Sequence, residues 1–525
     1  MLYILLFILF ILLLIVLIDV NQKNHTLKRN FPLLGRLRYL AESLGPPIRQ
    51  YFISNNREEL PFNRSQRTWI YASSKGQNNY EGFGTDKDIY SANFIFVNPK
   101  MFPFRILKGH INHTENDPFF IPCAKVIGLS HQRRKPFRPY SIVNISAMSY
   151  GSLSQQAQTS LNLGAAMVGS FHNTGEGGLS PFHQKGADVV FQIGTGYFGC
   201  GITDENGVRQ FSFEKLEELV LNKYDKVKAI EIKLSQGAKP GKGGVLPAKK
   251  NTPEIAAIRG VQPYTDVISP SFHTAFSNVR ELVDFIEKVA ERTGLPVGVK
   301  SAVGDLEQWH ELTDIMKNEN KGPDFITIDG GEGGTGAAPP SFADHVSLPW
   351  VYGFAEVYQV FKSKGLTNQV VFIGAGKLGF PSEIMKAFAM GADLVNVARE
   401  AMLSIGCIQA QECHTDKCPT GIATQNKWLS GGIDPTLKSV RFGKYINTLR
   451  KETLEMTHAC GYEHPCQVKM KDIDISCGDN NRTITLEQAF KYEKDEVAYS
   501  SMEGLHGCSY LAGLGKNANV LNKHA

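Results

Sequence analysis

No basic stripe with interleaved aromatics runs through this sequence, and its formal charge is only +5 over 525 residues. A dedicated nucleic-acid binder is therefore not expected, because its footprint is a clustered positive face. Internal repeats and low-complexity tracts are missing as well. Charged residues make up 20% and apolar residues 42%, the proportions of a globular chain long enough for one large domain plus additions. The first eighteen residues, Met1 to Ile18, carry no charge before Asp19. They also lack the basic start and small-residue cleavage site of a secretory signal peptide. That run is long enough to cross a bilayer, and Lys23, Lys28, Arg29, Arg36 and Arg38 follow it. The pattern predicts an uncleaved, single-pass transmembrane anchor over 1–20 with the body of the protein in the cytoplasm. Nine cysteines are an odd number; in a reducing compartment a cluster of them reads as metal chemistry before disulfides.

What is abundant is glycine, fifty residues, many of them at the ends of short apolar runs. Residues 21–140 read as a helical and irregular region packing on a main domain, and 431–525 as a C-terminal extension. Between them, eight β-branched or apolar runs alternate with helical patterns. The runs are Ile142–Ala147, Ala166–Phe171, Val189–Gly194, Lys228–Leu234, Pro296–Ser301, Asp324–Asp329, Val370–Ala375 and Asp393–Ala398. Helices are expected at Ser212–Lys223, Asn278–Thr293 and Pro381–Met390. Eight strands with intervening helices predict an α/β fold, a TIM (β/α)8 barrel over 141–430, with a doubly wound sheet as the alternative. A long excursion from Ser235 to about Asn278 interrupts the fourth unit and holds a short run, Asp266–Ser269. In a barrel all the strand C-termini meet on one face, so motifs distant in sequence converge there.

Three constellations carry chemistry. Cys407, Cys413 and Cys418 lie within twelve residues, with Pro419 directly after the last. Such spacing fits an iron–sulfur cluster; a zinc site with His414 as a fourth ligand, or buried thiols, are the alternatives. The phrase from Glu231 to Gly244 runs from a strand into a glycine-rich loop with Gln236, Lys239 and Lys242. Freed backbone N–H groups and lysines suit a carboxylate or phosphate, although a solvated basic loop has the same composition. The glycines from Gly330 to Gly336, then Gly374 and Gly376, then Arg399, follow strands six to eight, where barrels commonly seat a cofactor phosphate. Two Gly-x-Gly-x-x-Gly matches, at Gly194 and Gly374, begin no convincing dinucleotide-binding unit. Cys460, His464 and Cys466 form a weak second ligand pattern, and Cys123, Cys200, Cys477 and Cys508 read as free thiols.

The phrases MSYGSLS (148–154), NTGEGG (173–178), QIGTGYFG (192–199), EIKLSQGAKPGKGG (231–244), GGTGAAP (333–339) and GCIQAQECHTDKCPTGIATQ (406–425) resemble, in this order, the FMN-binding synthase domain of glutamate synthase. The resemblance covers roughly 80–470. It implies an FMN- and iron–sulfur-dependent oxidoreductase that makes glutamate from 2-oxoglutarate and an amine source. By resemblance, Ala147, Met148, Gln192 and Lys300 border the flavin ring, and Gly334, Gly336, Gly376 and Arg399 meet its phosphate. Glu176, Gln236, Lys239 and Arg259 make the 2-oxoglutarate site, and Cys407, Cys413 and Cys418 hold a [3Fe–4S] cluster. In these roles Lys300 stabilises an anionic reduced flavin, Lys239 and Arg259 neutralise carboxylates, and Glu176 manages protons.

Complete bacterial-type enzymes of that family begin with a glutaminase whose nucleophile is an N-terminal cysteine, whereas Leu2 and an apolar run stand here. Ammonia is accordingly expected free or from a separate glutaminase subunit, and electrons from ferredoxin or a separate reductase. N-methylglutamate synthase-like amine transfer, a membrane-tethered electron-transfer module and an inactive scaffold are the competing readings.

Overall fold

The computed structural model describes residues 2–105, 120–205, 207–478 and 482–497. The chain divides into two compact units, residues 1–68 and 69–525. In the first, α1 (Leu2–Asn21) is followed by α2 (Thr26–Asn30) and α3 (Leu34–Ile48). By length and composition α1 could cross a membrane: it has 20 residues, with a mean hydropathy of 3.2.

The second unit is built on a closed barrel of eight parallel strands. These are β1 (Val143–Ile145), β2 (His172–Asn173), β3 (Val189–Ile193), β4 (Val227–Lys233), β5 (Val297–Ser301), β6 (Phe325–Asp329), β7 (Val371–Ala375) and β8 (Leu394–Val397). Each pairs with the next in sequence, and β8 closes on β1 with Val397 opposite Ile145. Strands such as Val-Val-Phe-Gln-Ile and Val-Phe-Ile-Gly-Ala are buried along their whole length, as strands covered on both faces must be. The barrel expectation holds, and seven of the eight predicted runs fall on strands.

The second run does not. Ala166–Phe171 was expected to be a strand, but its first three residues finish the helix Gln155–Val168, and Gly169 ends that helix at a φ of 69°. The strand is only His172–Asn173. The run is apolar because this end of the helix packs under a C-terminal helix, Pro435–Ala459. A Cβ at Gly164 would lie 2.7 Å from Ser439 O, and Arg450 of the second helix donates to Val168 O at 3.0 Å. A short apolar run has no periodicity that separates a buried strand from a buried helix end.

The flanks of the barrel also meet each other. Ile95–Val97 pairs antiparallel with Ile473–Ser476, which pairs in turn with Thr483–Thr485.

Four side chains form a polar layer inside the barrel. The Glu231 carboxylate accepts hydrogen bonds from Asn173 Nδ2 (2.8 Å), Gln192 Nε2 (2.6 Å) and Thr327 Oγ1 (2.7 Å). β2 is not a neighbour of β4, nor is β6, so these bonds can close only across the barrel interior.

Candidate functional site

The loops that leave the C-terminal ends of the strands are stitched into one rim. Gly175, at a φ of 64°, brings the β2 loop against the β1 loop so closely that a Cβ would sit 2.7 Å from Ser149 N. The β4 loop touches the β6 loop at Gly237, where a Cβ would meet Gly330 O at 1.9 Å. Gly237→Ala is thus a backbone-on-backbone clash that no side-chain movement relieves. It is expected to cost ~3 kcal/mol or more, read as a lower melting temperature together with lost activity.

A cluster of charges centres on Glu176. Its carboxylate bonds Lys233 Nζ at 2.9 Å and lies between Gly194 and Gly244, whose missing side chains make room for it. Burial alone would push its pKa up; Lys233, Lys239 and Arg259 outweigh this and hold it below the usual carboxylate value. Gln236 Oε1 lies 3.5 Å from Lys233 Nζ, and both line a small cleft with Glu176, Lys242 and Gly243.

Lys239 is buried and donates to Gly243 O at 2.6 Å. Burial, then the nearby Lys233, bring its ammonium down to about 8. Arg259 is buried too. Its Nη2 donates to Tyr150 O at 3.2 Å, its guanidinium lies 5.0 Å from the Phe198 ring centre, and Nε has no hydrogen-bond partner among the described residues. Burial lowers it to about 10, against the attraction of Glu176. One carboxylate therefore faces three cations, two of them buried without a carboxylate at ion-pair distance among the described residues. Buried, under-compensated cations in one place are an anion-binding arrangement.

Lys300, the last residue but one of β5, is buried, with Asp329 Oδ2 at 3.5 Å; the same oxygen accepts from Gly237 N at 2.8 Å. Beside it, Gln192 is held by Glu231, and Met148 O accepts from Gln158 Nε2 at 2.6 Å, with half-buried Ala147 preceding it. A carboxylate only accepts, so the Gln192 amide must turn its nitrogen toward Glu231.

At the β6–β8 side, a Cβ on Gly334 would lie 3.4 Å from Arg399 Nη1, and Arg399 also donates to Glu332 O. Lys377, at a left-handed φ of 59°, is lowered by burial and then by repulsion from Arg399. Two cations pressed together beside a glycine suit a phosphate. Gly376 backs onto the Trp350 side chain, and Gly336 onto the Cys413 carbonyl.

The cysteine loop lies on the same rim. Lys250, from the β4 excursion, donates to Cys413 O and Ala423 O at 2.8 Å each, and Gln425 Nε2 donates to Gly151 O and Leu153 O at 3.0 Å. Cys418 is pushed up by burial, but Thr420 Oγ1 at 3.5 Å and the backbone amides of 420, 422 and 423 outweigh that and lower it. Cys413 is raised, by burial and then by Cys418 beside it. Cys407 Sγ accepts from Gln409 N at 3.4 Å. Gln409, Gln411 and Asp416 all take left-handed φ between 56° and 63°, a density of strain that functional loops carry.

Among the described residues no three His, Cys, Asp or Glu side chains converge on one ion position, the three loop cysteines included. Thiolates of an iron–sulfur cluster bind different irons and stand further apart than the ligands of one ion. Cys460 and Cys466 are buried, and His464 engages backbone through both ring nitrogens: Nε2 meets Pro122 O at 2.8 Å, and Nδ1 accepts from Cys466 N at 3.1 Å. Cys123 and Cys200 are free and buried, Cys477 is free and exposed, and Cys508 lies outside the described residues.

The rim thus gathers Glu176, Gln236, Lys239, Lys300 and the cysteine loop on one face, with Arg259 against the β1 and β2 loops at Tyr150 and Gly177. Sequence reasoning gave no role to Lys233, Asp329, Glu231, Lys250 or Lys377. Lys233 and Asp329 are the last residues of β4 and β6, and strand-end position was the available signal.

The family description "Conserved region in glutamate synthase" matches residues 110–463. The chain is 39% identical to the glutamate synthase large subunit-like protein YerD of Bacillus subtilis, over 85% of this chain and 89% of that one. It is 35% identical to an archaeal-type glutamate synthase [NADPH] of Thermotoga sp. (strain RQ2), over 61% of this chain and 59% of that one. Among solved structures, flavocytochrome b2 with sulfite bound aligns over 91% of this chain and 97% of that one, at 14% identity and a TM-score of 0.43.

Proposed function

The chain belongs to the glutamate synthase family, and from that premise we propose that it makes glutamate by reductive amination of 2-oxoglutarate at FMN. The observation that carries this reading is the charge around Glu176. Its carboxylate and the three cations leave two positive charges uncompensated, matching the two carboxylates of a dicarboxylic oxo acid. Lys239 and Arg259 bind that dianion, and Gln236 orients it.

Ammonia adds to the C2 carbonyl, water leaves, and two electrons and two protons convert the imine to the amine. Glu176, ionised at neutral pH, takes a proton from the incoming nitrogen and returns one to the departing hydroxyl. Lys300 supports negative charge that develops nearby.

Ala147, Met148, Gln192 and Lys300 would hold the FMN ring, and Gly334, Gly336, Gly376 and Arg399, with Lys377, its phosphate. Cys407, Cys413 and Cys418 would hold a [3Fe–4S] cluster. When bound, FMN supplies the reducing equivalents and the cluster passes electrons to it from outside. That outside donor is ferredoxin or a separate reductase; the nitrogen is free ammonia or comes from a separate glutaminase subunit. We place α1 across a membrane, with the barrel on the cytoplasmic side, on its composition and on the basic residues that follow it.

Full-length protein purified without oxygen tests this. Flavin absorbance, a paramagnetic resonance signal of a three-iron cluster, and glutamate from 2-oxoglutarate plus ammonia are expected. Product with methylamine alone would reassign the amine, and reduced protein that forms no amino acid with any amine would overturn the reading.

Lys239 gives a pH signature. It is cationic below about 8 and neutral above, so anion binding weakens as pH rises through that value. We expect kcat/KM for 2-oxoglutarate to fall roughly tenfold between pH 7 and pH 9, and Lys239→Arg to flatten that limb.

A further inference from the structure

The segment after the apolar helix has a face that its own contacts leave uncovered. Asp19, near the end of α1, is buried and clamped by Arg36 of α3, with Nε–Oδ1 3.0 Å, Nε–Oδ2 2.9 Å and Nη2–Oδ1 2.7 Å. Leu33 N adds a bond to Asp19 Oδ2 at 3.3 Å. α3 rests on α2 through Gly35, where a Cβ would meet Leu27 O at 2.8 Å, and through Tyr39. The Tyr39 ring packs on His25 and lies 4.8 Å from Lys28 Nζ.

Opposite that packed side, Leu34, Leu37, Leu40, Leu44 and Ile48, then Tyr51 in the π-turn that extends α3, recur at helical spacing. Each of the six is between 43% and 67% exposed. Arg38, paired with Glu42 at 3.0 Å, and Arg49 lie beside this stripe, and Glu42 is the one acid over 34–53.

We propose that α3 and its extension lie in the plane of a lipid bilayer surface, apolar stripe down, as a second contact beside the α1 anchor. This rests on the membrane reading of α1 proposed above. Three observations name lipid as the occupant. The stripe follows, across the short α2, a helix apolar enough to cross a membrane. The Asp19–Arg36 clamp holds the start of α3 to the end of α1, where a spanning helix leaves the hydrocarbon. Beside the Arg38–Glu42 pair stands Arg49 with no acid of its own segment left to balance it, so the flank carries net positive charge, as on helices seated among anionic headgroups.

The test uses full-length protein in phosphatidylcholine–phosphatidylglycerol vesicles whose acyl chains carry bromine either near the headgroup or near the chain end. Added fluorescence is measured for Leu44→Trp and, separately, Leu9→Trp. The Leu44→Trp signal is expected to fall to about half or less with shallow bromine and to change little with deep bromine. The Leu9→Trp signal should respond most to deep bromine. An unquenched Leu44→Trp signal beside a quenched Leu9→Trp signal overturns the surface helix and keeps the anchor. Failure of Leu9→Trp alone overturns the anchor and keeps the surface contact; failure of both removes the membrane altogether. A Leu44→Trp signal that instead responds to protein concentration, in detergent as in vesicles, assigns the stripe to a second copy and overturns the proposal.

Discussion

Arg259→Leu is expected to raise the melting temperature of ligand-free protein while reducing kcat/KM for 2-oxoglutarate by roughly 10²- to 10³-fold. The guanidinium is buried and, among the described residues, has one backbone acceptor at 3.2 Å and no partner for Nε. Burying a charge that is incompletely paired costs stability, and an apolar side chain removes that cost, for a gain of about 1–4 kcal/mol less what the shorter leucine loses in packing. Phe198, whose ring faces the cation, would then pack against leucine. With the cation gone, one substrate carboxylate enters a dry site with no counter-charge. Thermal unfolding with and without 2-oxoglutarate reads both effects: the wild type gains stability from the ligand and the variant does not. A variant that melts lower yet keeps its KM would make Arg259 an ordinary structural cation.

Glu231→Leu should have the largest effect on stability. Three buried donors, on Asn173, Gln192 and Thr327, end on its carboxylate from three other strands. Leucine would orphan all three at about 1–3 kcal/mol each, a large share of a domain's net stability. Loss of soluble protein, or an unfolding midpoint far below wild type in urea, is the expected result. Glu231→Gln separates orientation from folding: its single oxygen can still accept from two of the donors, and its NH2 group must be met by a turned Thr327 hydroxyl or by a Gln192 amide turned to offer its oxygen. That variant is expected to fold and to bind FMN more weakly than wild type, measured by fluorescence titration. Unchanged flavin affinity would remove Gln192 from the ring's surroundings.

The barrel was legible in the sequence because strands covered on both faces must be apolar throughout, and Val-Val-Phe-Gln-Ile or Val-Phe-Ile-Gly-Ala reads that way without context. His172–Asn173 was not legible: a two-residue strand has no pattern, and the apolar run before it is a helix end packed on a helix almost three hundred residues later. In the site, glycine clusters marked where loops meet. They did not say why; Gly194 and Gly244 leave room for the Glu176 side chain, and Gly237 for the Gly330 carbonyl. Lys233 and Asp329 went unassigned because their partners come from other elements, Glu176 from the loop after β2 and Lys300 from β5, and only pairing of the strands side by side brings them together.

The small sheet that joins Ile95 to Ile475 bears on how the chain is made. During synthesis the earlier strand emerges with no mate, and its backbone groups stay solvated until nearly the entire polypeptide has left the ribosome. Clipping that late segment would strand the early one as an open edge, and open edges recruit other chains. Aggregation on truncation at either flank is therefore built into where the two halves of this seam are encoded.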